Sequence, residues 1–174
     1  KCLPQSKNNI FICLKKHIVH YPLKENLLKW YPNSEIFDID GVTEGQACTT
    51  DLGFQNFHIP LEKPLLVSAC DNGVYYDMEK YKKLVEEPDV DIIIWSFSNN
   101  PTSKLFPHMY AWLDVDENNY IKRVSIKKPF DDVENKHAII GTMYFKKAKY
   151  ILEKTQLLYY LTCCTTTKLI NFIF

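Results

Sequence analysis

The residues best suited to chemistry lie in one short stretch, where a carboxylate and an amide follow an apolar run. Leu65–Val67 is apolar, and three small residues lead from it to Asp71 and Asn72. Such a run is typical of a strand buried on both faces. An acid at the carboxyl end of a central parallel strand sits where open α/β sheets bind their ligands. The stretch therefore predicts a ligand site, and the alternative is that Asp71-Asn72-Gly73 is only a polar turn.

The elements that must position this stretch are strands and helices that alternate along the first hundred residues. This alternation predicts right-handed crossovers and a mostly parallel sheet. A hairpin and one more strand are predicted to follow. The predicted strands are Asn9–Leu14, Glu35–Ile39, Leu65–Val67, Val90–Phe97 and His137–Phe145, with a hairpin over Met109–Val115 and Tyr120–Lys127. The predicted helices are 22–30, 47–57 and 78–86, the last capped by Asp77, and a further helix begins near Lys146.

Composition limits the kind of partner. The 174 residues suit one domain with a sizeable core, and basic and acidic residues number 21 each. With a formal net charge of zero, no overall field favours nucleic acid or an anionic membrane. The six cysteines form no C-x-x-C and no zinc-ligand spacing, which predicts a reducing, cytoplasmic compartment without disulfides. The sequence leaves the oligomeric state open.

Several segments together resemble a known family. In order and spacing, Gly41–Ala47, Leu65–Asn72 and the block from Tyr110 to Phe145 resemble the sugar-phosphate nucleotidyltransferases. This GT-A-like family joins a nucleoside triphosphate to a sugar 1-phosphate. The resemblance extends from about Asn9 to Glu153, and it implies a three-layer, Rossmann-like α/β fold with helices on both faces of the sheet.

The resemblance implies a nucleotide site with a metal. Gln46 matches the glutamine that hydrogen-bonds the nucleobase, and Asp71 matches the catalytic aspartate that holds Mg²⁺ between the phosphates. Carboxylate oxygen suits this hard cation. The remaining nucleotide-binding residues implied are Thr43, Glu44, Gly45 and Asn72. The alternative for the first loop is a helix N-terminus with Thr43 as its cap.

The sugar side of the site is implied by three further matches. Lys127, the second catalytic residue that the resemblance implies, matches the lysine that contacts the sugar phosphate, to which an ammonium is suited as a point charge. Ala111 stands where many members have glycine, and Gly141 matches a glycine that lines the sugar pocket. A glycine within a strand can equally mark a bulge. Ile126 replaces the family glutamate before the lysine, which removes a usual hydrogen-bond partner of the sugar hydroxyls.

Other departures from the family concern activity. The glycine-rich loop that grips the triphosphate and a second metal-binding aspartate have no match, so residues 1–154 are expected to form a nucleotidyltransferase-like domain that lacks its first strand and has impaired turnover. Residues 155–174 are expected to be a divergent or poorly specified tail rather than a membrane span. The alternatives are a GT-A glycosyltransferase that uses an NDP-sugar and an inactive domain that binds a nucleotide or a protein partner. Asp114-Val-Asp116 has the D-x-D pattern of such glycosyltransferases, but turn residues explain it equally well.

Overall fold

The computed structural model of the chain describes residues 2–126 and 128–152, together with the backbone of 169–173. It divides into two compact units. We call Leu3–His58 the N-terminal unit and the part from Ile59 onward, with Cys2, the C-terminal unit. The sequence shows no linker at this division. Its physical basis is the strand pairing, which stays within each unit throughout the described residues.

The N-terminal unit is a small parallel α/β layer. The elements are β1 Ile10–Leu14, α1 Lys15–His20, α2 Leu23–Trp30, β2 Glu35–Ile39 and α3 Gln46–Asn56. Strand β1 pairs in parallel with strand β2, from Ile10↔Glu35 to Leu14↔Ile39. The ring of Phe11 on β1 contacts Tyr31, and the ring of Phe37 on β2 contacts Phe57. These aromatic contacts pack the strands against the segments that follow α2 and α3. Both predicted strands of this unit and the predicted helices beginning near Pro22 and Ala47 are confirmed to within one residue, and α1 was not predicted.

The C-terminal unit contains the remaining elements. They are β3 Leu65–Val67, α4 Met78–Glu86, β4 Ile92–Phe97, α5 Pro101–Leu105, β5 Ala111–Val115, β6 Ile121–Ile126, β7 His137–Phe145, α6 Lys149–Leu152 and β8 Leu169–Ile173. The predicted cap of α4 is confirmed, because the Asp77 carboxylate accepts hydrogen bonds from the backbone N–H groups of Glu79 and Lys80. The predicted hairpin is β5–β6.

The sheet of the C-terminal unit is mixed. Its described strands number six, in the order β6-β5-β7-β4-β8 with β3 also paired to β7. The α/β fold class is confirmed, but β3 is half-buried and its partner is the antiparallel strand β7. The prediction of a central parallel strand buried on both faces is therefore wrong for β3. An apolar run identifies a strand but does not determine which neighbour it pairs with or in which direction.

The core of this unit lies between α4 and the sheet. Trp95 and Ile93 of β4 are fully buried, and Tyr144 of β7 is nearly so. Tyr81 of α4 contacts the rings of Trp95 and Tyr144 at centroid distances of 5.5 and 5.9 Å. Burial raises the pKa of the Tyr81 phenol, so this hydroxyl stays neutral. The core fixes β4 and β7, the strands against which the candidate site is built.

Part of the predicted tail belongs to this sheet. Strand β8, Leu169–Ile173, pairs in parallel with β4 from Ile92↔Leu169 to Ser96↔Ile173. Residues 155–168 and Phe174, which the tail prediction also includes, lie outside the described residues, as do residues 153 and 154. Within the described part of the chain, no helix is long and apolar enough to cross a membrane. Among the described cysteines, Cys2, Cys48 and Cys70 are free thiols.

Candidate functional site

Strand β7 is the strand on which the candidate site is built, because it pairs on both of its edges. Tyr144 pairs with Leu66 of β3 and also with Ile93 of β4, so β3 and β4 occupy opposite edges there. Ala138, nearer the start of β7, pairs with β5 and again with β4. Strands β3 and β5 therefore follow one another along the same edge of β7.

The end of β3 and the start of β5 meet on this edge. Beyond β3, the backbone N–H of Ala69 donates to the carbonyl oxygen of Gly141 at 3.1 Å. Trp112 pairs with Ala138, which places Ala111, the first residue of β5, opposite the next residue of β7. The end of β3 and the start of β5 therefore face β7 positions that are two residues apart, roughly 7 Å along the strand. The loop that contains Asp71 leaves the sheet at this junction.

Gly141 makes a bulge at the junction. Its φ is 95°, a conformation that side chains disfavour, and the pairing of β7 with β4 shifts register between Ile94 and Ser96. The alternative given by the sequence, that this glycine marks a bulge, is therefore confirmed. Its contact with a sugar stays a prediction. A bulge re-aims the strand locally, which is a common feature beside binding sites.

The Asp71–Asn72 loop is held against this bulge. The side-chain amide of Asn72 donates to the carbonyl oxygen of Ile140 at 3.3 Å and to the Asp71 carboxylate at 3.1 Å. Behind the loop, the hydroxyls of Ser68 and Thr142 hydrogen-bond each other at 2.9 Å. Asn72 was predicted to bind nucleotide, and in this structure its amide positions the loop and the carboxylate.

Asp71 is suited to hold a cation. It is exposed, and it forms no ion pair with the described residues. The described residues contain no group of three or more histidine, cysteine, aspartate or glutamate residues that could bind a metal by themselves. Mg²⁺ in nucleotide sites commonly takes one or two carboxylates together with substrate phosphates. The single exposed carboxylate fits that mode of binding.

The D-x-D aspartates have structural roles. The Asp114 carboxylate accepts hydrogen bonds from Arg123 at 2.7 Å and from Lys136 at 2.8 Å. The hydrogen bond from Lys136 lowers the pKa of Asp114 below its ordinary value. Asp116 accepts from the backbone N–H groups of Asn118 and Tyr120 and so shapes the hairpin turn. This geometry agrees with the turn interpretation and gives no support to a D-x-D metal site.

In the N-terminal unit, the predicted base-binding residues lie where α3 begins. Gly45 is the N-cap residue, with extended backbone and no side-chain hydrogen bond to the helix N-terminus. The interpretation of Thr43 as the cap is wrong, because its hydroxyl donates to the Gly45 carbonyl oxygen at 3.0 Å and contacts that of Thr49 at 2.6 Å. Gln46 is the first residue of α3, and Glu44 is exposed. An added Cβ at Gly45 would meet no atom within 4 Å, so the loop is open to a close approach.

The predicted sugar-binding residues Ala111 and Gly141 lie on β5 and β7. Ala111 is half-buried and pairs directly with Ile126, the last residue of β6. Ile126 keeps 46% of its surface exposed. The lysine predicted to contact the sugar phosphate, Lys127, lies outside the described residues.

Two residues of the site were not found from the sequence. Thr142 is 1% exposed and fixes Ser68, which precedes the Asp71 loop. A polar residue within the apolar run of β7 was the available signal, but nothing in the sequence connected it to a serine far earlier in the chain. The geometry thus brings Asp71, Asn72, Gly141 and Ala111 to one junction of the C-terminal unit.

Comparison with known proteins identifies the fold through solved structures alone. No protein-family profile matches the chain, and no curated protein matches it. Solved structures do match. A CMP:2-keto-3-deoxy-manno-octonic acid synthetase complexed with CTP is similar with a TM-score of 0.57 and 8% identity, over 97% of this chain and 90% of that chain.

Two further structures give the same result. HddC from Yersinia pseudotuberculosis is similar with a TM-score of 0.56 and 16% identity, over 96% of this chain and 69% of that chain. A putative glucose-1-phosphate thymidylyltransferase from Bacillus anthracis, in complex with sucrose, is similar with a TM-score of 0.65 and 14% identity. The match covers 95% of this chain and 67% of that chain. At such identities the similarity establishes the fold alone, and that fold is the sugar nucleotidyltransferase fold. The resemblance drawn from the sequence motifs is confirmed at this level.

Proposed function

We propose that the C-terminal unit binds a nucleoside triphosphate through Mg²⁺ held at Asp71 and binds a sugar 1-phosphate beside it. The reaction that such a site serves is attack of the sugar phosphate on the α-phosphorus, which gives an NDP-sugar and releases pyrophosphate. When bound, Mg²⁺ offsets the negative charge that develops on the phosphate oxygens. The main support is the placement of the Asp71 carboxylate at the junction of β3, β5 and the Gly141 bulge.

Each residue of the junction has a role in this proposal. The Asp71 carboxylate binds the cation, and the Asn72 amide keeps that carboxylate beside β7. Gly141 and Ala111 leave room above the strands for the sugar, because neither has a side chain larger than a methyl group. Lys127 lies outside the described residues, and its proposed contribution of a positive charge toward the sugar phosphate rests on the resemblance alone.

The names of similar structures agree with this ligand chemistry. One was solved with CTP and another with a sugar, sucrose. Those ligands belong to those proteins, and they support nucleotide and sugar as the ligand classes to test on this chain.

The N-terminal unit has a proposal of its own. We propose that the loop of Thr43, Glu44 and Gly45, with Gln46 at the start of α3, contacts a nucleobase. The Gln46 amide offers both a donor and an acceptor, which is what the edge of a base requires. The open space at Gly45 supports close approach of a flat ligand to the backbone.

The metal proposal is tested by Asp71→Asn, which keeps the side-chain volume and removes the charge. Since Asp71 is exposed, the fold should be unaffected. We expect the Mg²⁺-dependent part of the nucleotide affinity, measured by titration calorimetry with and without Mg²⁺, to fall by about 10–100-fold or more.

Glu117→Gln is the matched control. Glu117 is an exposed acid in the turn after β5, at the far end of that strand from Ala111. The control should bind like the unchanged protein. Equal Mg²⁺-dependent affinity in Asp71→Asn and the unchanged protein would contradict the proposal.

A further inference from the structure

A row of apolar side chains crosses the sheet beside the Asp71 loop. Ile126 of β6 pairs directly with Ala111 of β5, and directly paired residues point to the same face of a sheet. Continuing the pairing of Trp112 with Ala138 by one residue places Ala111 opposite Ile139 of β7. Ile126, Ala111 and Ile139 therefore form what we call the apolar row.

The row ends beside the candidate site. The carbonyl oxygen of Ile140, the residue after Ile139, accepts the hydrogen bond from Asn72 that holds the Asp71 loop. A molecule whose phosphate lies near Asp71 would therefore have the row within reach of the rest of its structure. Ile126, with 46% of its surface exposed, is the most exposed member of the row.

A sugar hydroxyl placed against this row would lose water without gaining a partner. Isoleucine and alanine side chains offer neither donor nor acceptor, and an unpaired hydroxyl is unfavourable when water is excluded. A methyl or methylene group of the ligand would instead cover Ile126 and remove its apolar surface from water. The row thus favours a ligand that is less hydroxylated on one side than a simple hexose.

We infer that this chain binds the 1-phosphate of a deoxy sugar, and that the sugar carbon without a hydroxyl contacts Ile126. This inference rests on the proposed function, because it specifies the substrate class of the same site. Ile126 is then a specificity-determining residue.

The test compares the 1-phosphates of glucose, galactose and mannose with their 2-, 3-, 4- and 6-deoxy counterparts. Affinity is measured by titration calorimetry on the complete chain with Mg²⁺ and a nucleoside triphosphate present. We expect at least one deoxy compound to bind about 4–10-fold more tightly than its parent, the range for one small apolar contact.

Two variants locate the preference. Ile126→Gln supplies a donor and an acceptor, so it should abolish or reverse the deoxy preference. Leu61→Gln is the control, since Leu61 is 45% exposed and precedes β3, at the opposite end of that strand from Asp71. It should keep the preference, and thermal melting should show both variants to be folded.

The outcomes separate the two levels of the proposal. Binding of sugar 1-phosphates with no deoxy preference, or with a preference that Ile126→Gln leaves unchanged, would overturn the inference and leave the proposed function standing. No binding of any sugar 1-phosphate, with nucleotide binding intact, would overturn the sugar half of the proposed function itself.

Discussion

Asp71 is an exposed carboxylate whose position is nevertheless defined. Its neighbour Asn72 donates to it and to the carbonyl oxygen of Ile140, so one amide connects the carboxylate to β7. A carboxylate held in this way can bind a cation with less loss of side-chain freedom than a mobile one. By contrast, Asp114 is paired with two basic residues and has little capacity left for a ligand.

Gln46 provides the residue-scale prediction for the N-terminal unit. A base edge held by an amide loses a directed hydrogen bond when Gln46 becomes Ala, a net loss of about 0.5–1.5 kcal/mol. We therefore expect Gln46→Ala to flatten the preference among nucleotides more than it lowers the overall affinity, as measured in a competition assay with the common nucleoside triphosphates.

Gln55→Ala is the matched control for this change. Gln55 lies near the other end of α3, where its amide donates to Asp51 at 2.7 Å. Unchanged base preference in Gln46→Ala, or an equal change in Gln55→Ala, would count against a base-binding role for the loop.

At the scale of elements, the bulge of β7 is the feature that brings two strand ends together. Gly141 has a φ of 95°, which a side chain would make unfavourable by about 1–3 kcal/mol. Gly141→Ala should therefore lower the free energy of unfolding by about that amount, measured by urea denaturation.

Gly41→Ala gives the comparison for this prediction. An added Cβ at Gly41 would meet no atom within 4 Å, so this variant should be neutral or slightly stabilising. If the two alanine variants had equal stability, the bulge would not require glycine.

The hairpin β5–β6 is fastened to the segment before β7 by Asp114 and Lys136, whose side chains are only 15% and 11% exposed. Removing the Asp114 charge leaves a largely buried ammonium with one partner fewer. Asp114→Asn should destabilise the protein by about 1–3 kcal/mol near neutral pH. Arg123, 63% exposed, should contribute little of this.

The pH dependence of this loss has a defined sign. Lys136 lowers the pKa of Asp114 from its ordinary value of 3.8, so the stabilisation is complete above that value and is lost as the pH falls below it. The difference in unfolding free energy between the unchanged protein and Asp114→Asn should therefore shrink below about pH 4. Asp132→Asn, which removes a more exposed partner of Lys136, should show a smaller loss throughout. A difference that stays constant down to pH 2 would contradict this account.

Across the whole molecule, local signals in the sequence were sufficient for most elements. The bounds of Glu35–Ile39, His137–Phe145 and Met78–Glu86 agree with the prediction because each depends on nearby residues, such as the cap at Asp77. Strand β8 was missed, because its segment shows neither a clear period nor turn residues. Secondary-structure signals act over a few residues, and they locate an element before they locate its partner.

The candidate site was only partly predictable for the same reason. Asp71 and Gly141 were identified by type and by resemblance, but the hydrogen bond from Asn72 to Ile140 joins residues 68 positions apart. Such a contact depends on β3 and β5 sharing one edge of β7, which no local pattern encodes. The division into two units was missed too, because it follows from strand pairing rather than from a linker.

The central claim is that a metal–nucleotide complex binds at the junction of β3, β5 and the Gly141 bulge. Mn²⁺ binds the same oxygen ligands as Mg²⁺ and broadens nuclear magnetic resonance signals close to it. In an amide spectrum recorded with a nucleoside triphosphate and a low concentration of Mn²⁺, we expect selective broadening at residues 69–73 and 139–142. The turn around Asp116 should stay sharp, and Asp71→Asn should abolish the effect. Broadening centred on Asp114 and Asp116, or broadening that Asp71→Asn leaves unchanged, would contradict the account.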